Sequence, residues 1–169
     1  IPTMCGTTGW LDRRSEIENL AREKGSTFFY SSNYSLGVNL FFKLNEHLAR
    51  MMNQFSAYEV SMDEVHHVEK KDAPSGTAIT LAEGVIRHLE RKKKCTKVPN
   101  ANKDEIGIHS FRIDEVPRTH VVKYSSAIDD IEIKHTAHTR EGFALGAVMV
   151  AEWIRDKKGI LNMDDFLKL

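Results

Sequence analysis

The order in which the hydrophobic period changes along this chain constrains its fold more than any other feature. Ile1–Cys5 is a short apolar run of strand type that breaks at Gly6-Thr7-Thr8-Gly9. From Leu11 to Lys24 the residues Ile17, Leu20 and Ala21 recur at helical spacing, and Gly25 supplies a stop. Thr27–Tyr30 is again rich in β-formers. Strand, helix, strand is one α/β unit. Beyond a polar loop at 31–39 the pattern is different. Leu40–Met52 reads as an amphipathic helix with Phe41, Leu44, Leu48, Met51 and Met52 on one face. Tyr58–Val65 reads as a strand, 66–77 as a dense polar loop, and Ala78–Lys92 as a helix with Ile79, Ala82, Val85, Ile86 and Leu89 turned inward. Arg91, Lys92, Lys93 and Lys94 follow as favourable charge at a helix C-terminus. After a polar linker over 96–105, Ile106–Ile113, His120–Tyr124 and Asp130–His135 read as three β segments, adjacent and antiparallel because their links are short. Phe143–Ile154 is an apolar helix stopped by Gly159, and Met163–Leu169 a last helical turn.

A doubly wound sheet alternates strand and helix throughout, and this chain does not. The expected architecture is the end of an α/β domain, residues 1–35 and 140–169, joined to an α+β domain, residues 36–139.

Charge and composition narrow the function. Lys plus Arg number 24 and Asp plus Glu 24, with a pI near 7.3, so nothing electrostatic favours nucleic acid as a partner. No apolar run approaches the ~20 residues of a membrane span. Cys5 and Cys95 cannot build a disulfide framework or a structural zinc site, which fits a reducing, cytoplasmic setting. A chain that opens on Ile1, directly in a strand, is expected to lack something upstream.

The stretch from Glu64 to Ala78, E-V-H-H-V-E-K-K-D-A-P-S-G-T-A, carries the chemistry. Ser75 or Thr77 can cap the following helix, and Gly76 allows close approach to its free N–H groups, where the helix dipole favours an anion. On those residues alone an ordinary capped helix start is the simpler reading. The cationic set His66, His67 and Lys70 just upstream shifts the balance towards a carboxylate seat. Both histidines can serve one site only if the strand ends there and the chain turns, since neighbours on a strand point to opposite faces. A metal site from His66, His67 and Asp72 is disfavoured by the adjacent lysines.

The run His66-x-x-x-Lys70-x-Asp72-x-Pro74-Ser75-Gly76-Thr77-Ala78, preceded by Glu64, closely resembles the signature of the dihydrodipicolinate reductase family. Gly6-Thr7-Thr8-Gly9-Trp10, Ser32 through Asn39, and Thr139-Arg140 through Ala147 resemble further segments of that family in the same order. Relative to the family's Glu-(Ile/Val)-x-Glu, two extra residues separate Glu59-Val60 from Glu64, so a bulge or shift is expected in that strand. Residues 113–119 replace glycines common in the family, so a differently shaped loop is expected there.

The resemblance implies a reductase of the diaminopimelate route to lysine. Hydride passes from NADH or NADPH to 4-hydroxy-tetrahydrodipicolinate, giving tetrahydrodipicolinate. It implies a C-terminal remnant of a Rossmann-type domain joined to a substrate and tetramerisation domain with a mixed sheet, in a homotetramer. Lys70 is implied as proton donor, His66 as assisting acid/base and His67 as a substrate contact. Gly76 and Thr77 would bind a substrate carboxylate, and Thr8 would help close the site. Gly6, Thr8, Asn33 and Tyr34 would line the nicotinamide pocket. No resident metal is implied. The family's glycine-rich pyrophosphate turn has no counterpart in these residues. The chain alone is therefore expected to bind NAD(P)H poorly and not to turn over. Two competing readings are a non-catalytic substrate-binding or assembly piece built on Ile106–His135, and a metal-dependent hydrolase using His66, His67 and Asp72.

Overall fold

The computed structural model describes residues 1–97, 102–114 and 118–169. They form two compact units, one of residues 1–39 and 140–169 and the other of residues 40–139. Among the described residues, no helix is long and apolar enough to cross a membrane.

The first unit carries a parallel three-stranded sheet, β1 (Thr3–Cys5), β2 (Thr27–Tyr30) and β8 (Gly159–Leu161), in the order β1-β2-β8. A 3-10 turn at Leu11–Arg13 leads into helix α1 (Arg14–Glu23). That helix ends in a Schellman arrangement: Ser26 N donates to Ala21 O, Gly25 N donates to Arg22 O, and Gly25 has φ of 56°. Gly159 does more than stop a helix. It opens β8, a strand too short to show a period in the sequence.

Helix α4 (Glu141–Trp153) packs against Tyr34 with almost no clearance. A Cβ on Gly146 would lie 1.8 Å from the Tyr34 carbonyl oxygen and 2.8 Å from its carbon. Gly146→Ala is therefore expected to destabilise this unit by about 3 kcal/mol or more, since the obstacle is backbone and the helix must move. Alanine's intrinsic helix advantage over glycine, about 1 kcal/mol, has the opposite sign and is smaller. Chemical denaturation of the variant checks the sign.

The second unit carries a mixed five-stranded sheet, β4 (Lys94–Thr96), β5 (Glu105–Arg112), β3 (Glu59–His66), β6 (Arg118–Ser125) and β7 (Asp130–Ala137), in that order. β3 is parallel to β5 and antiparallel to β6. β5 and β6 are consequently not hairpin neighbours, contrary to expectation, because β3 lies between them. The register of β3 runs without a break from Glu59 opposite Ser125 to Val65 opposite Thr119, and no bulge interrupts it. The 113–119 loop falls partly on residues 115–117, outside the described residues.

Helix α2 (Leu36–Met52) begins four residues before the apolar pattern does. Ser35 Oγ accepts from Val38 N and Asn33 Oδ1 accepts from Ser35 N, so polar side chains start the helix ahead of its hydrophobic face. Phe41, Leu48, Ala49 and Met52 of α2 pack with Ala78, Leu81, Ala82 and Val85 of helix α3 (Gly76–His88) on one face of the sheet. Leu44 and Met51, expected inward, are about half exposed, and Ile79 is partly exposed. The two helices come close where Asn45 Nδ2 donates to Leu81 O and a Cβ on Gly84 would sit 3.2 Å from that amide.

The basic run lies beyond the end of α3 rather than in its last turn. The helix stops at His88, and Arg91 donates to the carbonyls of Met52, Phe55 and Tyr58. Lys92, 2% exposed, donates to Glu59 Oε2 and to the carbonyls of Lys103 and Glu105. These cations supply donors to backbone carbonyls where the neighbouring helix and strands end or begin.

Candidate functional site

The inner face of the second sheet changes character along its strands. Val60 and Met62 of β3, Ile106 and Ile108 of β5, and Val122 and Tyr124 of β6 form its apolar part. With the period of two continued, the next inward positions are Glu64 and His66 on β3, Ser110 and Arg112 on β5, and His120 on β6. The core thus runs out into a polar cluster at the end of β3, where the 67–75 loop leaves the sheet.

Glu64 is fully buried and is the hub of this cluster. Its two oxygens accept from Ser75 N at 3.2 and 3.0 Å, and Oε1 accepts from Arg112 Nη2 at 3.3 Å. His66 Nδ1 lies 3.7 Å and His120 Nε2 3.8 Å from Oε2. The two rings meet edge to face at 5.1 Å. Arg112 also donates from Nε to Lys70 O at 3.1 Å and from Nη2 to Asp72 O at 2.7 Å, so it holds both ends of the Lys70–Asp72 segment. Ser75 caps α3: its Oγ accepts from Ala78 N at 3.2 Å and lies 3.2 Å from His120 Nε2.

Charge states follow from burial and neighbours. Burial pushes the Glu64 carboxyl up, but hydrogen bonding from Ser75 and Ser110 outweighs it and holds it below the usual carboxylate range. Burial takes His66 down to about 4, aided by the charges of Lys70, Arg112 and Arg118 and opposed by Glu64. His120 is likewise pushed down to about 4 by burial, then by His66, His135 and Lys70, with Glu64 again opposing. Both rings are neutral at pH 7. Unfolded histidines take up protons near pH 6.5, and these two do so only near 4. The unfolded state therefore binds more protons between those values, and stability is expected to fall as pH drops from 6.5 to 4. Thermal melts across that window check this, and a His66→Gln, His120→Gln variant is expected to show a flatter profile.

β3 ends at His66, and Lys70 N donates to His67 O, so the chain turns directly after the strand and the two histidines need not serve opposite faces. His66 is buried with Nδ1 lacking a hydrogen-bond partner, whereas His67 is half-buried. Lys70 Nζ is held by both oxygens of Asp72 at 2.7 and 2.8 Å. Gly76 is exposed and Thr77 half-buried at the opening turn of α3, and a Cβ on Gly76 would meet nothing within 4 Å. The expected helix start at Ala78 moves to Gly76, because Ser75 is the cap.

Among the described residues, the grouping able to hold a metal ion is Glu64, His66 and His120, not His66, His67 and Asp72. Asp72 is taken by Lys70. The Glu64 carboxylate already accepts from Ser75 and Arg112, and the surrounding charge is positive. The cluster is better suited to holding a loop than to holding a divalent cation.

Glu64 could have been found from the alternation Val60, Met62, Glu64, His66 on one strand face. Arg112 and His120 could not. Nothing local tells that their strands flank β3.

In the first unit, Gly6 follows β1 and Asn33 follows β2, the carboxyl ends of neighbouring parallel strands. Tyr34 is buried, donates from Oη to Cys5 O at 2.8 Å, and lies 3.2 Å from where a Gly6 Cβ would be. Burial raises the Tyr34 phenol to about 12, so it is a donor at all working pH. Asn39 Nδ2 donates to the carbonyls of Asn33 and Ser35 and ties this turn to α2. Gly6 and Thr8 are exposed. A groove of about 400 Å³ in this unit is lined by Thr3, Cys5, Thr7, Trp10 and Phe28 among others, but by none of Gly6, Thr8, Asn33 and Tyr34.

Comparison with known proteins agrees with the resemblance. Residues 37–167 match the family model described as dihydrodipicolinate reductase, C-terminus. The chain is 50% identical over 167 residues to the 4-hydroxy-tetrahydrodipicolinate reductase of Christiangramia forsetii, covering 99% of this chain and 70% of that protein. It is 40% identical over 171 residues to the enzyme of the same name from Methanococcoides burtonii, covering 99% and 64%. The fold matches the solved structure of dipicolinate-bound dihydrodipicolinate reductase from Paenisporosarcina sp. TG-14, with a TM-score of 0.76 at 23% identity over 96% of this chain and 63% of that one. The chain thus spans about two thirds of the length of several relatives it matches. With the signature loop seated on Glu64 and the family model covering most of its length, the chain belongs to the dihydrodipicolinate reductase family.

Proposed function

We propose that this chain is the substrate-binding part of a cytoplasmic 4-hydroxy-tetrahydrodipicolinate reductase, using NADH or NADPH and yielding tetrahydrodipicolinate. The observation that carries the reading is the tethered loop. A fully buried carboxylate and a guanidinium hold the backbone of Lys70, Asp72 and Ser75, the segment that leads into the opening turn of α3. A substrate with two carboxylates needs several donors held in advance, and electrons entering its ring need an acid close by.

In this reading the backbone of Gly76 and the backbone and hydroxyl of Thr77 bind one carboxylate at the α3 N-terminus. His67 contacts the substrate, and Lys70 delivers the proton. His66 is neutral at pH 7, so its assisting role is to accept or relay a proton rather than to supply one at rest. Gly6, Thr8, Asn33 and Tyr34 suit a nicotinamide, because ligands of open parallel sheets gather at the carboxyl ends of strands. The exposed backbone at Gly6 and Thr8 leaves room for close approach. When bound, the nicotinamide would supply hydride.

Titrating pyridine-2,6-dicarboxylate and NADH separately into the purified chain tests this. The dicarboxylate is expected to bind and NADH to bind weakly, since the family's glycine-rich pyrophosphate turn has no counterpart in these residues. Failure of the dicarboxylate to bind would sink the substrate reading.

A homotetramer is the second part of the proposal. β7 is an edge strand of eight residues, and Ile128, Phe111 and Ile113 stand well exposed near the sheet. A long open edge calls for cover. Sedimentation of the chain as a monomer at micromolar concentration would exclude assembly through this sheet.

A further inference from the structure

The opening turn of α3 is only as well placed as Ser75, and Ser75 is gripped at two points. Its N–H is held by Glu64. Its hydroxyl faces His120 Nε2 at 3.2 Å while accepting from Ala78 N. A hydroxyl has one proton. With its oxygen turned to the helix N–H, that proton has two acceptors before it, the Glu64 carboxylate and the imidazole, and Nε2 accepts it if the ring carries its own proton on Nδ1. We propose that His120 is a positioning residue for the carboxylate seat. As a neutral acceptor it directs the Ser75 hydroxyl and thereby fixes the N–H groups of Gly76 and Thr77. The inference rests on the dicarboxylate reading above.

Three further observations support it. His120 lies opposite Glu64 in the β3–β6 register, so the sheet itself sets its distance from the cap. It is 5% exposed, so solvent competes little for the ring. The groups that face it are Glu64 and His66 from β3, His135 from β7, and Lys70 and Ser75 from the loop and cap. Burial and the cationic members of that set keep the ring uncharged at pH 7. A charged ring would present a second donor to the serine and leave its hydroxyl proton without that acceptor.

The test uses pyridine-2,6-dicarboxylate as probe, with calorimetric affinity for the wild type, His120→Leu and His120→Gln. Leucine keeps the volume but cannot accept the hydroxyl. Glutamine keeps an acceptor. Affinity is expected to fall about tenfold in His120→Leu, the equivalent of one hydrogen bond, and to return to within about threefold of wild type in His120→Gln. A merely structural role would lower the melting temperature of both variants without separating their affinities. Nitrogen-15 spectra of the wild-type ring are expected to show Nε2 unprotonated at pH 7. A wild-type chain that does not bind the probe overturns the dicarboxylate reading and this inference with it. Equal affinity in wild type and His120→Leu, or a proton on Nε2, overturns this inference alone. If His120→Leu does not fold, Ser75→Ala removes the same bridge, and unchanged affinity there overturns the inference as well.

Discussion

Replacing Lys70 with alanine is expected to lower turnover by about two to four orders of magnitude in a catalytically competent preparation, which is the range for loss of a positioned proton donor. The Michaelis constant is expected to change far less, because the proposed carboxylate contacts of Gly76, Thr77 and His67 are left in place. Stability is expected to stay within about 1 kcal/mol, since the ion pair of Lys70 with the largely exposed Asp72 is a surface pair. The Arg112 bond that places this residue goes to its backbone carbonyl and survives the substitution. Steady-state kinetics beside a denaturation curve separate the two effects. Near-normal turnover in a folded Lys70→Ala protein would remove the amine from its role.

Glu64→Ala is expected to behave in the opposite way, as a stability variant first. It removes a fully buried carboxylate and leaves the Arg112 guanidinium and the Ser75 N–H without their partner. The expected loss is about 3 kcal/mol, at the low end for breaking a buried pair because Arg112 keeps its bonds to three carbonyls. Binding of the dicarboxylate is expected to weaken along with it, because residues 70–75 lose their anchor. Urea denaturation measures the first effect and calorimetry the second. If Glu64→Ala proved as stable as the parent, the tethered-loop account would have to be abandoned.

Much of the site was open to reading before any coordinates. The spacing from His66 to Lys70 and the Pro74-Ser75-Gly76-Thr77 turn depend on neighbours in the chain, and local rules for caps and strand ends suffice for them. The strands at Thr27–Tyr30, Glu59–His66 and Asp130–Ala137 were legible for the same reason. The misreadings share a cause. Leu44 and Met51 fit a helical face but are left about half exposed, because which stripe of α2 is covered depends on what packs there. Arg91 and Lys92 fit favourable charge at a helix C-terminus, yet they reach carbonyls more than ten residues away in the chain. β8 was missed because three residues carry no period.

The sequence by itself determined the family, the two-part organisation of its strands and helices, and the loop that bears the cationic residues. These rest on local pattern, where each residue's preference is set by the few on either side. Only the tertiary structure decided that β3 runs between β5 and β6, and with that the meeting of Glu64, Arg112, Ser75 and His120. Strand pairing is a long-range choice governed by burial of the whole face. It brings to Glu64 residues 11 to 56 positions away, whose separation in the chain carries no signal.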